Sequence, residues 1–324
     1  MSNVKDILKK INKDRLEKDH LKLWADVSDK SPVYCSTGSF YLDYKLTKGL
    51  GINMKHMTMI VGSEGSGKTS LALSIAKNAI EKTGKIVIYL DGEGTTDISY
   101  IDRVGIPEDK FLRVGGSCLE DMLDIAEDFS KAEDVCAIII DSIPIFFSKT
   151  VEMKNAEENS IGVEAKRFNA RMPIIIGNTI ARNILLIPLT YYKLNPGAMG
   201  ADPRTLPRGE WQKYMNSNLL ELSRKEFIKD SNGTVTGQTI RFRIKKNKAG
   251  SFDPKEVFEI DYYFNGGFDN VSDKVKILLA NGVITQGGAW FQYPNGEKFQ
   301  GLPKTVDFAR DNESYLNTLF DDNN

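Results

Sequence analysis

Eight residues, Gly62-Ser63-Glu64-Gly65-Ser66-Gly67-Lys68-Thr69, have the spacing G-x-x-x-x-G-K-[S/T], which works only where a buried strand hands over to a helix. Both flanks meet that demand. Met57 to Val61 is an apolar strand, and Leu71, Ala72, Ile75, Ala76 and Ala79 mark the inner face of a helix from Thr69 to about Thr83. The glycines let backbone N–H groups converge on phosphate oxygens at the helix N-terminus. The spacing therefore predicts a nucleoside triphosphate ligand, with Lys68 reaching the β- and γ-phosphates and Thr69 holding Mg²⁺.

Further short apolar runs, Ile86 to Leu90, Cys136 to Ile140 and Ile184 to Leu189, alternate with helical stretches and lack polar positions, as strands covered on both faces do. The fold class is thus α/β with a mostly parallel twisted sheet. Asp141 ends one such strand, where a carboxylate faces the nucleotide crevice, and is the natural partner of the metal. Asp91 and Glu93 follow another strand; either could orient the attacking water, and the pattern alone only leans to Glu93. Thr239 to Lys246 alternates and Val257 to Phe264 reads as one more strand, so the sheet is expected to finish antiparallel.

Other segments leave choices open. Val4, Ile7, Leu8 and Ile11 stripe an amphipathic helix that either packs on its own domain or docks on another copy. Tyr191 to Arg208 is rich in Gly, Pro and Asn without a period, the character of a functional loop. Lys245, Lys246 and Lys248 form a basic cluster that suits either a DNA phosphate or a neighbour's active site. From about residue 270 a helix (Lys274 to Asn281), an aromatic strand pair around Ala289-Trp290-Phe291 and a terminal helix suggest a small α+β domain. Forty-three basic against 44 acidic side chains give no global field for nucleic acid, so any such contact must be a local patch. Three scattered cysteines and two histidines argue against a zinc site or disulfide framework, and no apolar run is long enough to span a membrane, so the chain reads as cytoplasmic.

Taken together the motifs resemble the RecA family of ATP-dependent DNA strand-exchange proteins, from about residue 35 almost to the end. The likeness is carried by Ser36-Thr37-Gly38-Ser39 with Leu42-Asp43, the phosphate loop, Asp91-Gly92-Glu93, Asp97-Ile98-Ser99-Tyr100, Asp141-Ser142 and Lys246-Asn247-Lys248. Asn265-Gly266-Gly267, Gly287-Gly288-Ala289-Trp290 and Tyr293 to Lys298 extend it through the C-terminal region. The resemblance implies a P-loop NTPase core at 33–269, an N-terminal polymerisation helix within 1–32 and a small domain at 270–324. It implies Mg²⁺-ATP held by Gly62 through Ser70, Glu93 as catalytic base, and Asp97, Tyr100 and Tyr262 around the adenine. Lys246 and Lys248 would act across the subunit interface of a helical homo-oligomer. DNA, single- and double-stranded, would meet two loops, at Lys149 to Lys166 and Lys193 to Gly209, through Lys166, Lys193, Gly197, Met199, Arg204, Arg208 and Gly209.

Departures from the family pattern are equally specific. Tyr191 stands where the family has a glutamine that senses the γ-phosphate, which puts ATP gating of DNA binding in question. Arg208 replaces a usual glycine, adding a charge expected to strengthen DNA binding. The acidic C-terminal extension is reduced to Asp321-Asp322-Asn323-Asn324. The reading is a DNA-dependent ATPase that forms filaments on single-stranded DNA and exchanges homologous strands. Its alternative is a filament-forming mediator with little strand exchange; no cassette signature or acceptor lid points to a P-loop kinase or transporter.

Overall fold

A computed structural model describes residues 32–94, 96–148, 161–194, 203–208 and 211–323. The expected N-terminal helix, most of the first loop, and Gly197, Met199 and Gly209 lie outside these residues.

A short strand pair, β1 (Tyr34–Cys35) and β2 (Ile52–Asn53), brackets helix α1 (Phe40–Thr47). Then follow β3 (Thr58–Gly62), α2 (Lys68–Thr83), β4 (Ile86–Asp91), α3 (Ile98–Val104), β5 (Phe111–Gly115), α4 (Leu119–Phe129) and β6 (Val135–Asp141). Helix α5 (Ile161–Arg182) leads to β7 (Leu185–Thr190), and the small strands β8 (Lys193–Leu194) and β9 (Arg204–Thr205) pair with each other before α6 (Trp211–Met215). The long strands β10 (Asn218–Lys229) and β11 (Val235–Asn247) are followed by β12 (Phe258–Tyr263) and β13 (Gly267–Phe268). One sheet of nine strands results, in the order β13-β12-β11-β10-β3-β7-β6-β4-β5. From β10 to β5 every pairing is parallel, and from β10 to β13 every pairing is antiparallel. The antiparallel finish is as the alternation at 239–246 implies.

Period-two geometry decides what each central strand faces. Ile138 and Ile140 of β6, Ile88 and Leu90 of β4, and Met59 of β3 join one cluster with Leu119, Met122 and Ala126 of α4, Phe168, Met172 and Ile175 of α5, and Trp211. The intervening residues, Ala137, Ile139, Val87 and Tyr89, are equally buried on the other side, where α2 packs. Strands sandwiched in this way need apolar residues at every position, which is why β3, β6 and β7 were readable as unbroken runs.

Strand β10 left no such trace. Asn218 to Leu222 run parallel beside β3 with buried positions, whereas most of Ser223 to Lys229 is exposed and pairs with β11 alone. Two environments in twelve residues erase any single period. The stretch after Tyr191 is less irregular than its composition suggests, because β8 and β9 close its ends into a small ladder.

Toward the C-terminus, α7 (Asn270–Ala280) precedes a three-stranded antiparallel sheet, β14 (Thr285–Gly287), β15 (Trp290–Gln292) and β16 (Lys298–Gln300), and two helices, α8 (Leu302–Asp311) and α9 (Glu313–Asp322). The expected strand pair thus has a third member, and the expected single helix is divided at Asn312, which ends α8 and begins α9. Val275, Ile277, Leu278, Phe291, Tyr293, Leu316 and Phe320 form a separate apolar cluster, against which Tyr41 and Tyr44 of α1 pack.

Candidate nucleotide site

The site grows from the C-terminal edge of the parallel strands, where β3, β4, β6 and β7 all end. Gly67 caps α2 at φ 92° and Gly65 has φ 66°, left-handed values that a side chain disfavours. No side chain caps α2, so its first N–H groups stay directed at whatever occupies the loop. A Cβ on Gly67 would stand 2.6 Å from Ile240 Cδ1, so β11 also requires glycine there. Ser66 is buried, while Lys68 donates from Nζ to Ser63 O at 2.8 Å within the loop. Burial lowers the Lys68 pKa, an effect opposed by Asp141, Glu93 and Glu64.

Thr69 Oγ1 donates to Asp141 Oδ2 at 2.8 Å, and Tyr89 OH donates to the same oxygen at 2.7 Å. Burial raises the Asp141 pKa against those hydrogen bonds. One hydroxyl and one carboxylate, held together beside a phosphate loop, suit Mg²⁺, which takes one or two protein oxygens and completes its shell with phosphate and water. Among the described residues no group of three His, Cys, Asp or Glu could hold a metal ion.

The two candidate bases separate clearly. Asp91 is buried, bound by Arg113 through Nε at 2.9 Å and Nη2 at 2.7 Å, and accepts Gly94 N–H at 2.8 Å. Glu93 is exposed beside Ser142 Oγ at 3.4 Å. A cavity of about 280 Å³ is lined by Thr69, Asp91, Glu93, Thr96, Asp97, Tyr100 and Asp141. A second, of about 330 Å³, runs from Gly65 through Ser70 past Tyr100, Arg224, Phe227, Gln238 and Phe264.

Asp97, Tyr100 and Tyr262 come together as expected, though not equivalently. Asp97 is exposed and caps α3, where the Ser99 N–H lowers its pKa. Tyr100 OH donates to Ser70 Oγ at 2.6 Å and lies 3.3 Å from Tyr262 OH. Tyr262 is buried edge-on against Phe268 and reaches the site only through its hydroxyl's contact with Tyr100. Tyr191 is half-exposed just past the end of β7, one strand from the phosphate loop.

Lys246 and Lys248 are nowhere near this cavity. Asn218 pairs with Asn247 on one side and with Thr58 on the other, so the two lysines sit level with the start of β3, not its end. The length of β3 alone, about 13 Å at ~3.3 Å per residue, separates them from the loop. Burial and the Lys248 charge lower the Lys246 pKa.

The DNA-facing candidates are divided. Lys166 and Lys193 are exposed. Arg204 pairs with Glu221 at 2.5 Å and lies 4.7 Å from the Tyr192 ring centroid. Arg208, expected to add a charge at DNA, turns inward from a φ of 68° to donate to Pro144 O at 3.0 Å and Phe146 O at 2.9 Å and to pair with Glu164. The pattern could not show this, because Glu164 lies 44 positions earlier on α5. Tyr89, Thr96, Arg113 and Arg224 were likewise missed: each reads as ordinary strand or loop until the sheet assembles.

A mostly parallel sheet carrying this loop, with Thr69 and Asp141 paired beside it, defines a P-loop NTPase. A family model, the RecA N-terminal domain, matches residues 2–269. The chain is 28% identical to Protein RecA of Desulfotalea psychrophila over 95% of its own length and 85% of the relative's. Against Protein RecA of Mycoplasma mycoides it is 29% identical, over 88% of this chain and 81% of the relative, and against that of Thermus aquaticus 28%, over 87% and 82%. The chain belongs to the RecA family, the DNA-dependent ATPases of recombination and repair.

Proposed function

We propose that the chain polymerises on single-stranded DNA with Mg²⁺-ATP bound between successive copies, and exchanges the strand for its homologue in a duplex. One observation carries this reading: the phosphate loop and Glu93 follow the C-terminal ends of the parallel strands, while Lys246 and Lys248 lie level with the opposite end of β3. A single copy holds half of a catalytic site at each end, so stacking copies head to tail would unite them.

In this arrangement the backbone from Gly62 to Ser70 cradles the phosphates and Lys68 leaves Ser63 O to meet them. Thr69 and Asp141 would hold Mg²⁺, which would supply positive charge against that of the phosphates. Glu93, exposed and lining the cavity, orients and deprotonates the attacking water. Lys246 and Lys248 of the neighbouring copy stabilise the negative charge that develops on the transferred phosphate. Asp97, Tyr100 and the Tyr262 hydroxyl border the adenine. Residues 1–32 supply the polymerisation segment, 33–269 the ATPase and DNA-binding core, and 270–324 a small accessory domain.

Among the basic residues expected at DNA, the exposed Lys166 and Lys193 are the ones disposed to reach phosphates; such contacts would be independent of sequence and sensitive to salt. A protein acting on DNA with ATP would work in the cytoplasm; no helix among the described residues is long and apolar enough to cross a membrane.

Labelled single strand, homologous duplex, Mg²⁺ and ATP should yield a displaced strand in the presence of the purified protein. Filaments without displacement at any salt concentration would remove the strand-exchange reading and leave the mediator.

A further inference from the structure

Strand β10 carries a bulge, and its position is informative. Arg224 pairs with Ile240 and Glu226 with Thr239, so Lys225 is an extra residue with no partner on β11. In a regular strand residues 224 and 227 would point to opposite faces; one inserted residue puts them on the same face. That face is the one toward the phosphate loop. Ile240, opposite Arg224, and Gln238, opposite Phe227, are the side chains whose Cδ1 and Nε2 approach Gly67.

The result is a guanidinium laid over an aromatic ring at the mouth of the nucleotide pocket. The Arg224 carbon Cζ is 4.3 Å from the Phe227 ring centroid, and its Nη1 reaches Gly65 O at 3.5 Å. A Cβ on Gly65 would meet that same Nη1 at 2.8 Å. Lys225 is drawn the other way, to Glu259 on β12 at 2.9 Å. A contact of 3.5 Å to one carbonyl uses little of a fork built for two parallel N–H···O bonds. Both residues line the cavity that continues from Gly65 to Ser70.

We propose that Arg224, held by Phe227 and aimed by the bulge at Lys225, binds the phosphate tail of the nucleotide in the same copy of the chain. It supplies a second positive charge beside Lys68, before any neighbour contributes Lys246 and Lys248. A copy not yet assembled would then hold its nucleotide through residues of its own. This deepens the nucleotide-site reading above and rests on it.

The test uses the full chain without DNA, titrated against fluorescent ADP and ATP analogues. Arg224→Ala should weaken both by about tenfold and Arg224→Lys by less, since a point charge survives without the fork. Phe227→Ala should have a smaller effect in the same direction, with thermal unfolding midpoints as a check on folding. Lys68→Ala is the control: if it binds as wild type, the phosphate-loop reading itself fails. If Lys68→Ala loses binding while Arg224→Ala, with an unchanged midpoint, stays within twofold of wild type, the Arg224 assignment alone is overturned. Arg224→Ala that retains nucleotide but loses duplex DNA also overturns it, placing the residue on a DNA surface.

Discussion

The inward turn of Arg208 can be tested by a double-mutant cycle with Glu164. The Arg208 side chain is 17% exposed and that of Glu164 7%, so this is a largely desolvated ion pair, joined by the carbonyls of Pro144 and Phe146. Removing one member of such a pair costs about 3–5 kcal/mol, mainly because the other charge is left buried without compensation. Glu164→Ala should therefore lose about that much in urea unfolding, and the Ser148 N–H, 3.4 Å from Glu164 Oε1, adds to the loss. Arg208→Gly differs in sign on one count. It relieves a left-handed backbone that costs a non-glycine residue roughly 1–2 kcal/mol, so its net loss should be about 1–4 kcal/mol. The double variant Arg208→Gly/Glu164→Gln leaves no buried charge and should fall short of the summed single losses (Arg208→Gly and Glu164→Gln) by up to about 3 kcal/mol.

DNA binding supplies an independent readout. A phosphate contact removed from a single-strand site lowers the slope of log K against log salt by about 0.7. Arg208→Gly should leave that slope unchanged, since its guanidinium is spent inside the fold. Additive stability losses together with a reduced slope would refute the inward placement and return Arg208 to the DNA surface.

Glu93→Gln should keep nucleotide binding and filament formation while ATP turnover falls at least tenfold, whereas Asp91→Asn should chiefly lower the unfolding midpoint by loosening Arg113; the reverse pattern would exchange their roles. Tyr89→Phe removes one of two hydrogen bonds on Asp141 Oδ2 and should weaken Mg²⁺ dependence about tenfold or more, read as the metal concentration for half-maximal ATPase. Lys248→Ala should abolish DNA-stimulated hydrolysis without changing ATP affinity in unassembled protein; intact hydrolysis would end the in-trans assignment. Burial raises Asp43 and Asp273 from 3.8 to about 6, so between those values the folded chain retains protons that the unfolded chain has released. Their contribution to stability is full below about pH 4 and lost as pH rises through 6, so Asp273→Asn should flatten the fall in unfolding midpoint between pH 4.5 and 7.

What could be read from the sequence follows from how local each constraint is. The phosphate loop, its strand and its helix are contiguous, and the demand for apolar residues on both sides of β3, β6 and β7 is met residue by residue. Asp141 was legible because it ends a strand. The difference between Asp91 and Glu93 was not legible from pattern, because the Arg113 that pairs with Asp91 comes from the neighbouring strand β5. Family resemblance supplied Glu93, and the structure adds a difference in surroundings: Asp91 is buried and held by Arg113, while Glu93 is exposed beside Ser142.

Arg208 and Arg224 show the converse. Both are basic residues in segments of weak pattern; the family resemblance suggested nucleic acid for the first, and nothing singled out the second. A left-handed φ turns Arg208 into the protein; a single unpaired residue turns Arg224 toward the phosphate loop. Neither backbone event is encoded by the arginine itself, so side-chain chemistry named a possible partner in each case while main-chain register chose the actual one. The same logic governs Lys246 and Lys248. Their charge suits a triphosphate, but register with Asn218 and Thr58 fixes them level with the start of β3, a strand's length from this copy's own phosphate loop, which is the placement the proposed in-trans role needs.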